Sequence, residues 1–264
     1  MNFADKKIDT IIVLGTFLSR ESETNIKQLE EWLQQGAKLI YLFSMEDPIY
    51  SPKSHFFSRY EVGSEEGVLA LLAKALLTKK TLPSTLQHYF DDLDEGYLSA
   101  ESNVGEEEIE EIQAFCLDNS TCLLWLGSDI TKHPYAQNCM RLADVIASYG
   151  NGIVYGMDLQ EKNDKKDIEE VAPLKSYDGT VVYACSQIKS DESGLLIGSA
   201  QFALAAKIRH QDKVKVAIKQ EVYSCTFVQD NSLKGTIALM PVQDNDNGQK
   251  YPYSVVKIAK AEAS

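Results

Sequence analysis

The stretch from Cys122 to Leu159 constrains the fold of this chain more than any other part of the sequence. An apolar run, Leu123–Leu126, ends at Gly127, and a second apolar run, Ile153–Tyr155, ends at Gly156. Between the two runs, apolar residues recur at the spacing of one helical face, namely Leu142, Val145, Ile146 and Tyr149. Two strands joined through a helix pair in parallel, and open parallel sheets hold ligands at the carboxyl ends of their strands.

Residues 8–43 repeat this pattern. Apolar strands are predicted at 9–14 and 38–43, with a helix between them that Gly36 ends. The crossover between two such strands is expected to be right-handed. Together the two units predict an α/β fold built on a parallel sheet.

Local signals mark the ends of further helices. Pro134 is typical of the first turn of a helix, where a missing N–H costs nothing. Gly150 is expected to end that helix in the left-handed conformation. Ser64 is expected to act as the N-cap of a helix that runs to about residue 80. Another helix is predicted at 106–115, because its apolar residues share one face.

Beyond Tyr177 the periodicity falls towards two, which is typical of strands. The segments with this pattern are 180–188, 194–208, 213–228, 235–240 and 253–258. Turns are predicted at Asp178-Gly179 and Asn247-Gly248. We therefore predict an α/β domain over residues 1–165 and a small β domain over residues 166–264, with the polar segment near 160–177 between them.

Composition narrows the function only slightly. The formal net charge of −13 argues against general nucleic-acid binding. The sequence contains no apolar run of the roughly 18 residues that a membrane span needs. The N-terminal stretch lacks an apolar signal core, and the five cysteines are odd in number and lie mostly in apolar surroundings. We therefore expect a cytoplasmic protein with reduced, buried thiols.

Four residues after the strand at 122–126 are candidates for a strand-end pocket: Gly127, Ser128, Asp129 and His133. His133 either points into the crevice or is a capping or surface histidine. The turn has one glycine and no Walker lysine, and no G-x-S-x-G or C-x-x-C motif is present. Gly150 and Gly152 follow a helix and precede a strand, the reverse of a dinucleotide fingerprint. We therefore predict no catalytic residues and no metal ligands.

The stretch from Leu204 to Lys219 is the one basic concentration in this acidic chain. Its positive residues are Lys207, Arg209, Lys213, Lys215 and Lys219. They predict a solvated strand face or, as the second interpretation, a surface that docks on an acidic partner.

Residues 11–43, 61–77 and 212–242 together resemble the molybdopterin oxidoreductase superfamily. The first contains a strand that ends in glycine and then "GAKLI" entering the next strand; the second, EVGSEEGVLALLAKALL, is similar to a helix that follows a turn in that family. The third looks like the family's C-terminal barrel, of the double-psi type. Within the superfamily, residues 123–151 look most like the large iron–sulfur (G-type) subunit of bacterial respiratory complex I, NADH:quinone oxidoreductase.

The resemblance implies a non-catalytic accessory or structural subunit or domain that scaffolds the iron–sulfur-bearing peripheral arm. Its partners would be other subunits of the respiratory complex, and it would lie on the cytoplasmic side, peripheral to the inner membrane. This chain corresponds to roughly the C-terminal part of such a protein, without the family's cysteine-rich module or the segment that supplies a molybdenum ligand. No cofactor is then expected in this chain.

Two alternatives remain open. The chain could be the C-terminal half of a genuine molybdopterin-dependent oxidoreductase whose metal ligand and cluster lie on a partner chain. A molybdopterin dinucleotide would then rest near Gly127–Asp129. A free-standing nucleotide-binding protein is the third interpretation, and the lack of a glycine-rich turn argues against it.

Overall fold

A computed structural model of the protein describes residues 7–77, 81–116, 120–150, 152–156, 167–242 and 250–261. The chain divides into two units. The first unit comprises the described residues of Met1–Thr16, Glu23–Ser44 and Lys53–Lys175, and the second those of Phe17–Ser22, Met45–Pro52 and Ser176–Ser264. The predicted domain boundary at residues 165–166 lies outside the described residues.

The first unit is built on a five-stranded sheet in which every neighbouring pair is parallel. The strands are β1 Thr10–Leu14, β2 Lys38–Leu42, β3 Phe56–Ser58, β4 Cys122–Leu126 and β5 Gly152–Tyr155. Their order is β3-β2-β1-β4-β5, so the chain reverses its direction of progress across the sheet between β1 and β4. Such a reversal is the switch point where open α/β sheets usually bind ligands. The α/β prediction for this part of the chain is confirmed.

Seven helices accompany this sheet among the described residues. They are α1 Glu23–Gln34, α2 Glu65–Leu76, α3 Ser84–Asp91, α4 Glu95–Ser102, α5 Glu106–Phe115, α6 Ser128–Thr131 and α7 Ala136–Tyr149. The α2 helix is the central one, since every residue from Glu65 to Ala73 is buried and it packs against α4, α5 and α7. Leu142, Val145 and Ile146 of α7 face the same core, as their spacing predicts.

One predicted boundary of α7 is wrong, and the other is right in position but wrong in its backbone conformation. A turn separates α6 from α7, so Pro134 precedes the helix and does not lie in its first turn. Gly150 ends α7 but has a φ of −96°, which is not left-handed. Glycine is needed there for another reason, because an added Cβ would lie 2.6 Å from the carbonyl oxygen of Ile146. Gly36, which is predicted to end α1, does by contrast have a left-handed φ of +95°.

Ser64 occupies the residue before α2, but its side chain does not cap the helix. The hydroxyl donates to the carbonyl oxygen of Glu61 at 2.6 Å. The ψ of Ser64 is 8°, far from the extended conformation in which an N-cap hydroxyl reaches the next turn. The N-cap prediction is therefore right in position and wrong in its hydrogen bond.

The second unit contains a seven-stranded mixed sheet of order β11-β6-β10-β7-β9-β8-β12. The strands are β6 Val181–Ser186, β7 Leu195–Gly198, β8 Lys213–Ile218, β9 Glu221–Gln229, β10 Ile237–Val242, β11 Tyr253–Val255 and β12 Lys257–Lys260. The two edge strands, β11 and β12, are separated in sequence only by Val256, so the sheet nearly closes into a barrel. On β8, Lys213 and Lys215 are exposed while Val214 and Val216 are buried, which fits the predicted solvated face.

The strand prediction for 194–208 is wrong after Gly198. Residues Ala200–Ala206 form a short helix, α8, whose N-cap is Ser199. The Ser199 hydroxyl accepts from the N–H of Phe202 at 3.0 Å and donates to the carbonyl oxygen of Gly235 at 2.6 Å. The side chains of Phe202 and Ala203 then enter the core of the barrel. The predicted turn at Asn247-Gly248 lies outside the described residues.

Candidate functional site

The turns that follow β1 and β4 are hydrogen-bonded to each other at the switch point. The N–H of Gly127 donates to the carbonyl oxygen of Leu14 at 2.8 Å, and the N–H of Asp129 donates to that of Gly15 at 3.0 Å. Free N–H groups at this position of a strand–turn–helix are the usual binders of phosphate. Here the chain itself uses both of these donors, so neither of them is available to a pyrophosphate group.

Side chains and backbone also fill the space between these two turns. A Cβ added at Gly127 would lie 2.2 Å from the carbonyl oxygen of Gly15 and 2.3 Å from Cβ of Thr16. A Cβ added at Gly15 would lie 2.8 Å from Cγ1 of Ile130. Both glycines are therefore required for close packing of the turns.

The other two candidates in the turn lie side by side. Asp129 is buried, whereas Ser128 is exposed. The Ser128 hydroxyl lies 3.5 Å from Oδ1 of Asp129, at the outer limit of a hydrogen bond. At this distance the Asp129 carboxylate holds the Ser128 hydroxyl only weakly. Asp129 is therefore not placed as a proton acceptor that would activate Ser128 as a nucleophile.

His133 is buried and faces helices α2 and α7, so the surface interpretation is wrong. Its Nε2 lies 3.5 Å from Oε2 of Glu65, and its Nδ1 accepts from the N–H of Tyr135 at 3.2 Å. The Sγ of Cys139 lies 4.0 Å from the same Nδ1. Burial lowers the pKa of His133 to about 4, against the opposing effect of a backbone hydrogen bond at Gly63. The imidazole is therefore neutral at neutral pH.

The depressed pKa of His133 predicts a loss of stability in mild acid. The unfolded chain takes up a proton near pH 6.5, whereas the folded protein does so only near pH 4. Relative to a His133→Asn variant, which keeps an acceptor for the Tyr135 N–H, the wild-type protein should lose up to about 3 kcal/mol between those two pH values. Urea unfolding across this range measures the difference. Parallel stability curves for the two proteins would contradict the prediction.

A second buried polar group, which the sequence analysis missed, joins α2 to α7. The Asn138 amide donates through Nδ2 to Oε1 of Glu66 at 2.7 Å and to the carbonyl oxygen of Glu169 at 2.9 Å. Its Oδ1 accepts from the N–H of Glu169 at 2.9 Å. Glu66 and Asn138 are 1% and 3% exposed. The group therefore ties the segment around Glu169 to the two helices.

Burial raises the pKa of two side chains here, those of Glu66 and Tyr89. Burial raises the pKa of Glu66, and hydrogen bonds from Asn138 and the N–H of Ala172 oppose that rise. Burial, with the Glu66 carboxylate next in importance, likewise raises the pKa of Tyr89. Among the described residues the Tyr89 Oη is buried and has no hydrogen-bond partner. Carboxyl groups with shifted pKa values occur at active sites and in structural networks alike. Every hydrogen bond of Glu66 and Asn138 described above connects one part of the fold to another, as in a structural network.

One sequence signal points to this group. Asn138 precedes Leu142 by four residues and Val145 by seven, so it lies on the apolar face of α7. A polar residue on such a face needs a buried partner. Nothing in the sequence identifies that partner as Glu66, 72 positions away.

The fold and the site together define a two-unit protein, an α/β sheet with a closed switch-point turn and a nearly closed β barrel. No known protein family and no curated protein matches the sequence. Within the described part of the chain, no group of three or more His, Cys, Asp or Glu side chains could hold a metal ion. No helix in the same part is both long and apolar enough to cross a membrane.

Proposed function

We propose that this protein is a non-catalytic structural subunit or domain of respiratory NADH:quinone oxidoreductase, complex I. It packs against the iron–sulfur-bearing chains of the peripheral arm, on the cytoplasmic side of the membrane. The resemblance of residues 123–151 to the large iron–sulfur subunit supports the assignment to this complex.

The closed switch-point turn carries the structural part of the proposal. The N–H groups of Gly127 and Asp129 donate to the turn after β1, and the buried glycine contacts leave no room for a ligand between these two turns. The sheet has the architecture of a cofactor site, but its own backbone uses two N–H groups that could otherwise bind phosphate. This combination fits a role in packing. The strand-end candidates Gly127, Ser128, Asp129 and His133 are then the remnant of a pocket.

Purification of the native protein tests this proposal. A tagged full chain, expressed in its own host and extracted in mild detergent, should co-purify with the iron–sulfur subunits of the peripheral arm in stoichiometric amounts. On a native gel it should migrate with the band that oxidises NADH. A tagged cytoplasmic protein of similar charge is the control for non-specific capture. If the protein migrates in a different band that does not oxidise NADH, the proposal is contradicted.

The same preparation distinguishes this proposal from the alternative, a molybdopterin-dependent oxidoreductase. Anaerobically purified material should contain no molybdenum and no pterin in proportion to this chain. Stoichiometric molybdenum and pterin, measured by mass spectrometry and by fluorescence of the oxidised pterin, would establish instead the C-terminal half of a molybdopterin-dependent enzyme.

A further inference from the structure

Two thiols at the amino-terminal edge of the parallel sheet are in contact. The Sγ atoms of Cys116 and Cys122 lie 3.1 Å apart. A disulfide bond is roughly 2.05 Å long, so the two sulfurs need to approach each other by only about 1 Å. Cys122 is 4% exposed, whereas Cys116 is half-buried and accessible to a small oxidant. The pair therefore combines contact between the thiols with access to one of them.

Regular structure on both sides fixes this contact. The N–H of Cys116 donates to the carbonyl oxygen of Gln113 at 2.9 Å and closes the last turn of α5. The Thr10 hydroxyl of β1 donates to the carbonyl oxygen of Phe115 at 2.8 Å. Cys122 opens β4 and is the partner of the same Thr10 in the parallel ladder. One residue of β1 thus holds both the end of α5 and the start of β4, which keeps the two thiols together.

The remaining cysteines have different surroundings. Burial raises the pKa of the Cys139 thiol, and the same cause raises that of Cys185 to about 12. Burial also raises the pKa of Cys225, which lies in the core of the barrel. The pKa of Cys122 is raised by its hydrogen bond with Cys116 and then by burial. An oxidant is thus expected to react with Cys116 first, and Cys122 is expected to react second.

We propose that Cys116 and Cys122 are a site of reversible disulfide formation by peroxide. The Cys116 thiol loses its proton, and the thiolate attacks one peroxide oxygen. The O–O bond breaks, the leaving hydroxide takes up that proton, and a sulfenic acid and water are produced. The Cys122 sulfur then attacks the sulfenic sulfur, the S–O bond breaks, and a second water leaves with the Cys122 proton. Two thiols are oxidised to one disulfide while one hydrogen peroxide is reduced to two waters. A thiol reductant of the dithiol class restores both thiols.

Oxidation of the wild-type full chain tests this proposal directly. Untreated protein, denatured and alkylated, should carry label on all five cysteines, and peroxide-treated protein should carry it on three. A dithiol reductant added before alkylation should restore all five. Residues 81–131 contain no Lys or Arg, so trypsin, which next cuts after Lys132, leaves the bridge within one peptide. A protease that cuts at Asp118 separates the two cysteines in sequence, and the two fragments should remain joined until reduction.

A Cys116→Ser variant should lose this peroxide-dependent protection of two thiols, whereas a Cys225→Ser variant should keep it. Full labelling of peroxide-treated wild-type protein would overturn the proposal. So would a sulfinic acid on Cys116 with Cys122 still free, or a disulfide between two different chains. If the Cys116→Ser variant does not fold, the wild-type fragment map decides the question by itself.

Discussion

Replacing Asn138 by Asp is expected to destabilise the first unit by about 3–5 kcal/mol at pH 7. The wild-type amide donates through Nδ2 to the Glu66 carboxylate and to the carbonyl oxygen of Glu169. An aspartate carboxylate of the same shape has no donor, so both hydrogen bonds would be lost and a buried carboxylate would face the Glu66 carboxyl group. The loss should shrink as the pH falls, because protonation of either carboxyl group restores one O–H donor between them.

Gln137→Glu is the matched control for this substitution. It makes the same change from amide to carboxylate on the neighbouring residue of α7, where the side chain is exposed. An acidic group in the first turn of a helix is mildly favourable, so the effect should stay within about 0.5 kcal/mol. Trp32 and Trp125, the two tryptophans of the chain, both lie in the first unit, so their fluorescence reports its unfolding in urea. A loss below about 1 kcal/mol in Asn138→Asp at pH 7 would contradict the buried network.

The sheet and most helices of the first unit could be predicted because hydrophobic burial leaves a periodic record in the sequence. The runs that became β1, β2 and β4 are almost wholly buried. The role of a glycine is harder to predict from sequence, because glycine can be required either for a positive φ or for close packing. Gly36 ends α1 with a positive φ, whereas Gly150 ends α7 with a negative φ and is required by crowding against Ile146. Crowding depends on tertiary packing, which local spacing does not encode.

The same limit applies to α8 and to the buried polar groups. The 200–206 stretch alternates well enough to suggest a strand, but its helix is decided by the Ser199 cap and by the fit of Phe202 in the barrel core. The sequence shows two glutamates at the start of α2, where exposed acids often complement the helix dipole. That both are buried, one against His133 and one against Asn138, follows only from how α2 and α7 pack.

A Gly127→Ala substitution is expected to cost at least about 3 kcal/mol of stability. The φ and ψ of Gly127 are −84° and −176°, an extended conformation that alanine adopts freely, so the cost is steric. The new Cβ would lie 2.2 Å from the carbonyl oxygen of Gly15. That oxygen cannot move away without breaking its bond to the Asp129 N–H. Relief of the clash therefore requires the two switch-point turns to separate.

Gly96→Ala supplies the matched control, because it makes the same substitution in α4 of the same unit. Its added Cβ would meet only Oδ1 of Asp94, at 3.6 Å, and alanine favours the helix by about 0.5 kcal/mol. Urea unfolding followed by tryptophan fluorescence should rank Gly96→Ala at or above wild type and Gly127→Ala far below it. Normal stability of Gly127→Ala would mean that the turns after β1 and β4 lie apart in solution and leave space for a ligand. The structural support for a packing role would then be lost, and a strand-end site at Gly127 and Asp129 would be the better interpretation of the fold.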